Sequence, residues 1–409
     1  SVSTNGNWST NICSFQSTTP TQVSIQLRGG IEITPGSNVV IGNAAGFTSI
    51  AAGAIDRIAI GKSAGAINQS ASTVAIGKSA GFNSQGDDTV AIGVSAGQTS
   101  QSSGAVAVGS AAGSLNQSAS AVAIGKNAGS ATQGDDAVAV GLNAGATTQG
   151  DFAVAVGTGA GFNLQQPWAV AGGSAAGGLS QGAGTVAVGQ SAGTANQADW
   201  AVAVGANAGA TTQGSGAVAV GQGAGTSNQT QLAVAIGKDA GAANQGDASI
   251  AIGEKAGNSG QLDQAVAVGK TAGFINQGFN AVAVGEASGE VNQSDNAVAI
   301  GWQAGQTDQQ TDAVAIGLNA GQTNQAPAAV AVGSGAGTTT QQPWAVAVGS
   351  TAGATNQGLR AVAVGQNAGT SNQSDLAVAV GSEAGATGQG AGAVAVGIQA
   401  GTSNQTQLA

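Results

Sequence analysis

The chain has no histidine, no tyrosine and no methionine, and only one cysteine, Cys13, in 409 residues. Without histidine, and with a lone thiol that has no candidate base, no nucleophilic triad can be assembled, so the chain reads as a non-enzyme. One cysteine also rules out an internal disulfide framework. Cys13 stands either as a small buried hydrophobe or as an intermolecular bridge. Nine Lys and Arg against nineteen Asp and Glu, a net charge of −10, supply no basic stripe to neutralise phosphates, so nucleic acid is not an expected partner. Aromatics are 3% of residues, too few for a conventional core of large side chains. Only 5 prolines, and glycine that does not fall every third residue, exclude collagen. At 7% charged residues the chain is no disordered polyampholyte. No apolar run approaches the ~20 residues of a membrane span, so no membrane insertion is expected.

What the chain has instead is repetition. A-V-A-(V/I)-G-x-x-A-G-x-x-x-Q-x-x-x recurs every sixteen residues, its first glycine standing at Gly61, Gly77, Gly93 and onward to Gly397, 22 times in register. The Ala at position 3 (Ala59 to Ala395), the Gly at position 9 (Gly65 to Gly401) and the Gln at position 13 (Gln69 to Gln405) never vary. A short fixed period makes each unit one turn of a solenoid. The expected fold is all-β, a parallel β-solenoid (β-roll) of 16-residue turns.

Alternation along a strand sends successive side chains to opposite faces. With Val or Ile at positions 2 and 4 (Gly172 excepted), the reading places these inside and the alanines of positions 1 and 3 outside. Gly at 5 and 9 marks corners where the backbone needs positive φ or close approach. Positions 10–13 read as a second strand with 11 and 13 inward, and 14–16 as a variable loop. An inward glutamine must have its amide satisfied, so a ladder of Gln69, Gln85, Gln101, Gln213, Gln405 and their equivalents is expected down the interior. The outward alanines, Ala59, Ala75, Ala219, Ala235 and Ala251 among them, would form a smooth stripe for lateral self-association. The expected partner is therefore a second copy of the chain, and no cofactor or metal is expected.

Residues 1–36 are not repetitive and read as a cap or connector, with a period-two strand signal at Thr21–Arg28. Residues 37–60 hold an imperfect first turn with an insertion. Beyond them, 61–236 and 237–409 read as two blocks of eleven turns, because Gln165-Gln166-Pro167-Trp168 recurs at Gln341-Gln342-Pro343-Trp344, 176 residues on. The last residue, Ala409, is in phase with Ala233, which suggests an array that continues or stacks end to end as an open-ended filament.

The stretch Ser120-Ala121-Val122-Ala123-Ile124-Gly125-Lys126-Asn127-Ala128-Gly129 resembles the S-V-A-I-G repeats of trimeric autotransporter adhesin heads. Ser37-Asn38-Val39-Val40-Ile41-Gly42-Asn43-Ala44-Ala45-Gly46 is similar to the A-I-G-x-x-A-G repeats of phage and giant-virus fibres. The likeness covers about residues 37–409. It implies a left-handed parallel β-roll, three chains side by side, and a place outside the cell or on a virion. The adhesin repeat is shorter than sixteen and lacks the invariant Gln.

Other motifs carry less. Gly61-Lys62-Ser63, Gly77-Lys78-Ser79 and Gly269-Lys270-Thr271 look like the end of a phosphate-binding loop. The glycine required five residues earlier is Asp56, Ser72 and Gln264, so the match is accidental. Aspartates collect in the loop without a calcium-binding pattern and read as solvated. Trp168, Trp200 and Trp344 serve either a glycan or an adjacent rod. Asn7, Asn68, Asn116, Asn228, Asn292, Asn372 and Asn404 stand in N-x-S/T sequons, open to N-glycosylation or to an outward Asn ladder. The functional expectation is a structural fibre or filament protein. The alternatives are an adhesin that binds a receptor or glycan through the loops, and an ice-binding solenoid using outward T-x-N or T-x-T pairs such as Thr226/Asn228 and Thr338/Thr340.

Overall fold

The computed structural model describes residues 38–42, 44–45 and 55–407, all within one compact unit that begins at Asn38. Cys13, Asn7, Thr21–Arg28 and the rest of 1–37 lie outside the described residues. Among the described residues the secondary structure is all strand and no helix. The fold is a parallel β-solenoid of sixteen-residue turns. Positions 2–4 of successive turns stack in register into a 23-stranded parallel sheet, Val122 on Val138, Ala123 on Ala139, Ile124 on Val140. Positions 11–13 stack into a second line of parallel strands, 9 and then 10 in number, joined across Gln213 by isolated bridges.

The interior corrects the facing expected from sequence. Ala59, Ala75, Ala219, Ala235 and Ala251 are 0–1% exposed, as are the alanines of positions 1 and 8 in the regular turns apart from the partly buried Ala400; they are the core, not a contact stripe. The Val and Ile of positions 2 and 4 point out: Ile124 is 41% exposed and Val156 45%. The cause is width. A sixteen-residue coil folded over tight corners leaves little space between its walls. A Cβ placed on Gly225 would lie only 3.1 Å from the Ala219 Cβ and 2.6 Å from the Gln229 amide oxygen. Alanine fits that gap and valine does not. At Thr89, Thr185 and Ser249, polar residues at position 1, the hydroxyl returns to the chain three residues back. Thr185 donates to Gly182 O at 3.0 Å and Ser249 to Gly246 O at 2.7 Å. The odd member is Arg57, at position 1 of the first regular turn and 1% exposed. It donates to Asn38 Oδ1 at 3.1 Å and Gln69 O at 3.3 Å, and burial pushes its guanidinium below the ordinary value.

Corners are made by left-handed residues. Position 5 is glycine at φ near +130° (Gly221 +128°), where an added Cβ would meet the next turn's Gly237 O at 2.6 Å. Positions 7, 9 and 16 also carry positive φ, as with Asn127 (+55°), Gly129 (+51°) and Trp168 (+60°). Position 12 does so too in most turns, for example Asn116 at +49°. This breaks the alternation that placed position 11 inside. Leu115 and Leu179, at position 11, are 48% and 47% exposed. Threonine at position 12 is disfavoured in the left-handed region because it is β-branched; Thr340 enters it at +49°, whereas Thr132, Thr148 and Thr212 do not. At Thr132 and Thr148 the second strand shortens to two residues, and at Thr212 it is reduced to bridges at Gln213.

Candidate functional site

The invariant glutamine stands across the coil interior. Gln213, 1% exposed, donates to Val202 O at 2.8 Å on the opposite wall, to Ala217 O at 3.2 Å, and to Gln229 Oε1 at 3.1 Å. Gln-to-Gln bonds run unbroken from Gln181 to Gln389. Elsewhere the column is interrupted. Gln69 turns to Gly81 O, and Gln69, Gln85, Gln133, Gln165, Gln181 and Gln405 each keep an amide oxygen without a partner. The column is structural machinery, closed to solvent.

Function therefore has to be sought outside the coil, and the largest continuous feature there is the outer face of the 23-stranded sheet. Its Val and Ile columns run two abreast along the turns, interrupted at position 4 only by Gly172. Twenty-two turns at about 4.8 Å each make a strip of roughly 105 Å, and two side-chain columns give it a width of about 10 Å. That is on the order of 1,000 Å² of aliphatic surface, beyond the few hundred that a monomer ordinarily leaves in water.

The two edges of this strip differ in charge, a separation that reading the loops alone missed. All six lysines, Lys62, Lys78, Lys126, Lys238, Lys255 and Lys270, occupy positions 6 and 7, just past the strand. Twelve of the nineteen acidic residues occupy positions 15 and 16, just before it. The aspartates at position 15 are not simply solvated. Each takes the backbone N–H of the preceding turn onto Oδ1: Ala183 N onto Asp199 at 2.8 Å, Asp247 N onto Asp263 at 2.9 Å. They staple neighbouring turns.

Position 16 holds four exposed aromatics, Phe152, Trp168, Trp200 and Trp344, while Trp302, Phe162 and Phe279 are exposed at positions 6, 10 and 15. Phe152 and Trp168 are stacked with centroids 6.3 Å apart, Trp200 lies across Gly184, and the Arg360 guanidinium sits 5.2 Å from the Trp344 ring. A shallow groove of about 480 Å³ is lined by positions 12–15 of neighbouring turns, Leu164, Gln166, Asn196, Asp199 and Ser215 among them, and by neither Trp168 nor Trp200. The sequon residues Asn68, Asn116, Asn228, Asn292, Asn372 and Asn404 are all exposed. Three belong to side-chain pairs: Asn228 donates to Asn244, Asn276 to Asn292, and Asn356 to Asn372. The hydroxyls of Thr226, Thr338 and Thr370 are turned back onto carbonyls three residues earlier, away from a flat outer array.

Among the described residues no three metal-ligating side chains come together, and no helix is long and apolar enough to cross a membrane. No protein-family model and no curated protein matches this chain.

Proposed function

We propose that this protein is a structural rod, working outside the cell or on a virion surface, that assembles laterally with copies of itself through the outer Val/Ile face. One observation carries the reading: an aliphatic strip on the order of 1,000 Å² per chain, against the ~800 Å² that each partner buries in a standard stable interface. β-Branched side chains standing on a sheet are pre-ordered at χ1, so burying them sacrifices little side-chain entropy. Glutamate at Ile236 and Ile252, which are 39% and 37% exposed, should leave the coil intact because both side chains point away from it. Sedimentation of the unaltered chain should show a multimer and that of the double variant a monomer, with equal strand content by circular dichroism. A monomeric unaltered chain at micromolar concentration refutes the proposal.

An adhesive role is the second reading. It is favoured by the exposed rings of Trp168, two residues after Gln166, and Trp200, next in sequence to Asp199. Gln166 and Asp199 line a groove carrying amide, hydroxyl and carboxylate groups, and flat apolar faces with hydrogen-bonding groups suit a glycan. A loss of oligosaccharide binding in a Trp168→Ala, Trp200→Ala variant, read by calorimetry, would support it.

A further inference from the structure

We infer that two copies meet face to face with their rods running in the same direction and without axial stagger, matching the acidic edge of each to the lysine edge of the other. The inference rests on the Val/Ile face being the contact, and adds its polarity and register.

Two rods can bury the same strip against each other in two ways. A two-fold axis along the rods carries the left edge of one strip over the right edge of the other. Positions 15–16 of one copy then face positions 6–7 of its partner. A two-fold axis across the rods keeps each edge opposite its own kind. Here the edges are unlike. Positions 14–16 carry twelve carboxylates and one cation, Arg360, whereas positions 6 and 7 carry six lysines and four carboxylates, Asp239, Glu254, Glu286 and Glu383. Antiparallel packing sets the strongly acidic edge against itself along the whole rod. Parallel packing sets it against the one edge with a cationic excess. Packed sheets stand about 10 Å apart, close to the Debye length at physiological salt, so these charges are felt across the contact. Like charges in juxtaposition are what exclude wrong arrangements.

The axial positions settle the stagger. Lys78 is followed nine residues later by Asp87, Lys126 by Asp135 and Lys238 by Asp247, each pair within one turn but on opposite edges. Lys255 precedes Asp263 by eight. Without stagger, each of these lysines lies level, to within a turn, with the matching aspartate of the partner. A shift of four turns still levels Lys62, Lys78, Lys126 and Lys238 with Asp135, Asp151, Asp199 and Asp312 on one edge. On the other edge it leaves only Lys255 level with Asp199, so the unstaggered pair, matched equally on both edges, keeps the most contacts. Within the chain, Lys270 pairs with Glu286 at 3.7 Å, and both side chains are more than half exposed.

A nitroxide placed on Ser110→Cys, an exposed site at position 6, in a Cys13→Ser background tests this by pulsed electron paramagnetic resonance. Parallel, unstaggered rods put the two labels about 20 Å apart, from a strip some five residues wide and a 10 Å sheet spacing. Fully overlapped antiparallel rods put them about 70 Å apart, fifteen turns along the axis. The short distance, with association weakened at high salt, supports the inference. The long distance, or an intermediate one from a staggered pair, overturns it while leaving lateral assembly standing. A monomer by sedimentation with no dipolar signal overturns the assembly itself.

Discussion

Replacing Gln213 by leucine tests whether the glutamine column acts as a chain of dependent bonds or as independent fillers. Leucine approximates the volume but makes none of the bonds. Gln197 directs its amide to Gln213 Oε1 at 2.8 Å, and Gln229 Oε1 receives the Gln213 amide at 3.1 Å, so the substitution strands a donor below and an acceptor above. A buried polar group left without a partner costs about 1–3 kcal/mol, which makes roughly 2–6 kcal/mol for the two. The same change at Gln165 provides the internal control. Gln165 donates to Val154 O and Ala169 O only, and its own oxygen is already unpartnered, so its removal strands no neighbouring glutamine. Gln213→Leu should therefore destabilise its locality by about 2 kcal/mol or more beyond Gln165→Leu. A long repeat array need not unfold in one step, so the readout should be hydrogen exchange at the amides of the three turns around each site. Equal loss of protection at the two sites, or a larger loss at Gln165, would refute the reasoning.

Gly221→Ala should open its corner, since φ is +128° and the new Cβ would meet Gly237 O at 2.6 Å; we expect a local cost of about 3 kcal/mol or more. Gly159→Ala, at φ +64° with nothing within 4 Å, should cost only about 1 kcal/mol, and the contrast is readable by thermal unfolding. Ala235→Val should overpack the core by about 1–3 kcal/mol in chemical denaturation, whereas Val234→Ala on the outer face should alter association in sedimentation more than folding. Asp263→Ala should loosen the turn below by about 1 kcal/mol through loss of the Asp247 N–H bond, and Asp263→Asn, which keeps an acceptor, should recover most of it by hydrogen exchange.

The period, the parallel stacking, the corners at positions 5 and 9 and the inward glutamine were all legible in the sequence. A spacing of sixteen with invariant glycines admits few other folds. Which face of the A-V-A-V strand lies inside was not legible. Alternation assigns Ala123 to one face and Val122 and Ile124 to the other, but gives no sign of direction. The expectation that larger apolar residues go inward then chose wrongly, because the coil is only one glutamine wide. The outward turn of Leu115 was hidden for a different reason: a left-handed Asn116 interrupts the alternation, and asparagine at that spot reads equally well as an ordinary strand residue. The stapling role of Asp199 and Asp263 depends on the height of the neighbouring turn, which a linear reading does not contain.

Because each strand pairs with residues sixteen before or after it, or nineteen between Val39–Ile41 and Ile58–Ile60, every contact that matters is local in sequence. The chain can wind progressively, each turn using the finished one as its template, with little loop-closure entropy to overcome. The same sameness removes any marker of which turn belongs beside which. A segment that skips one repeat still finds alanine over alanine, glycine over glycine and glutamine over glutamine, with sixteen residues looped out. Winding in order from one end is thus the protection against mispairing, and refolding of the full chain from denaturant should populate looped-out forms that synthesis avoids. The converse is tolerance. Excision of residues 217–232 joins Gly216 to Ala233 in phase, and should yield a rod one turn shorter and otherwise unchanged.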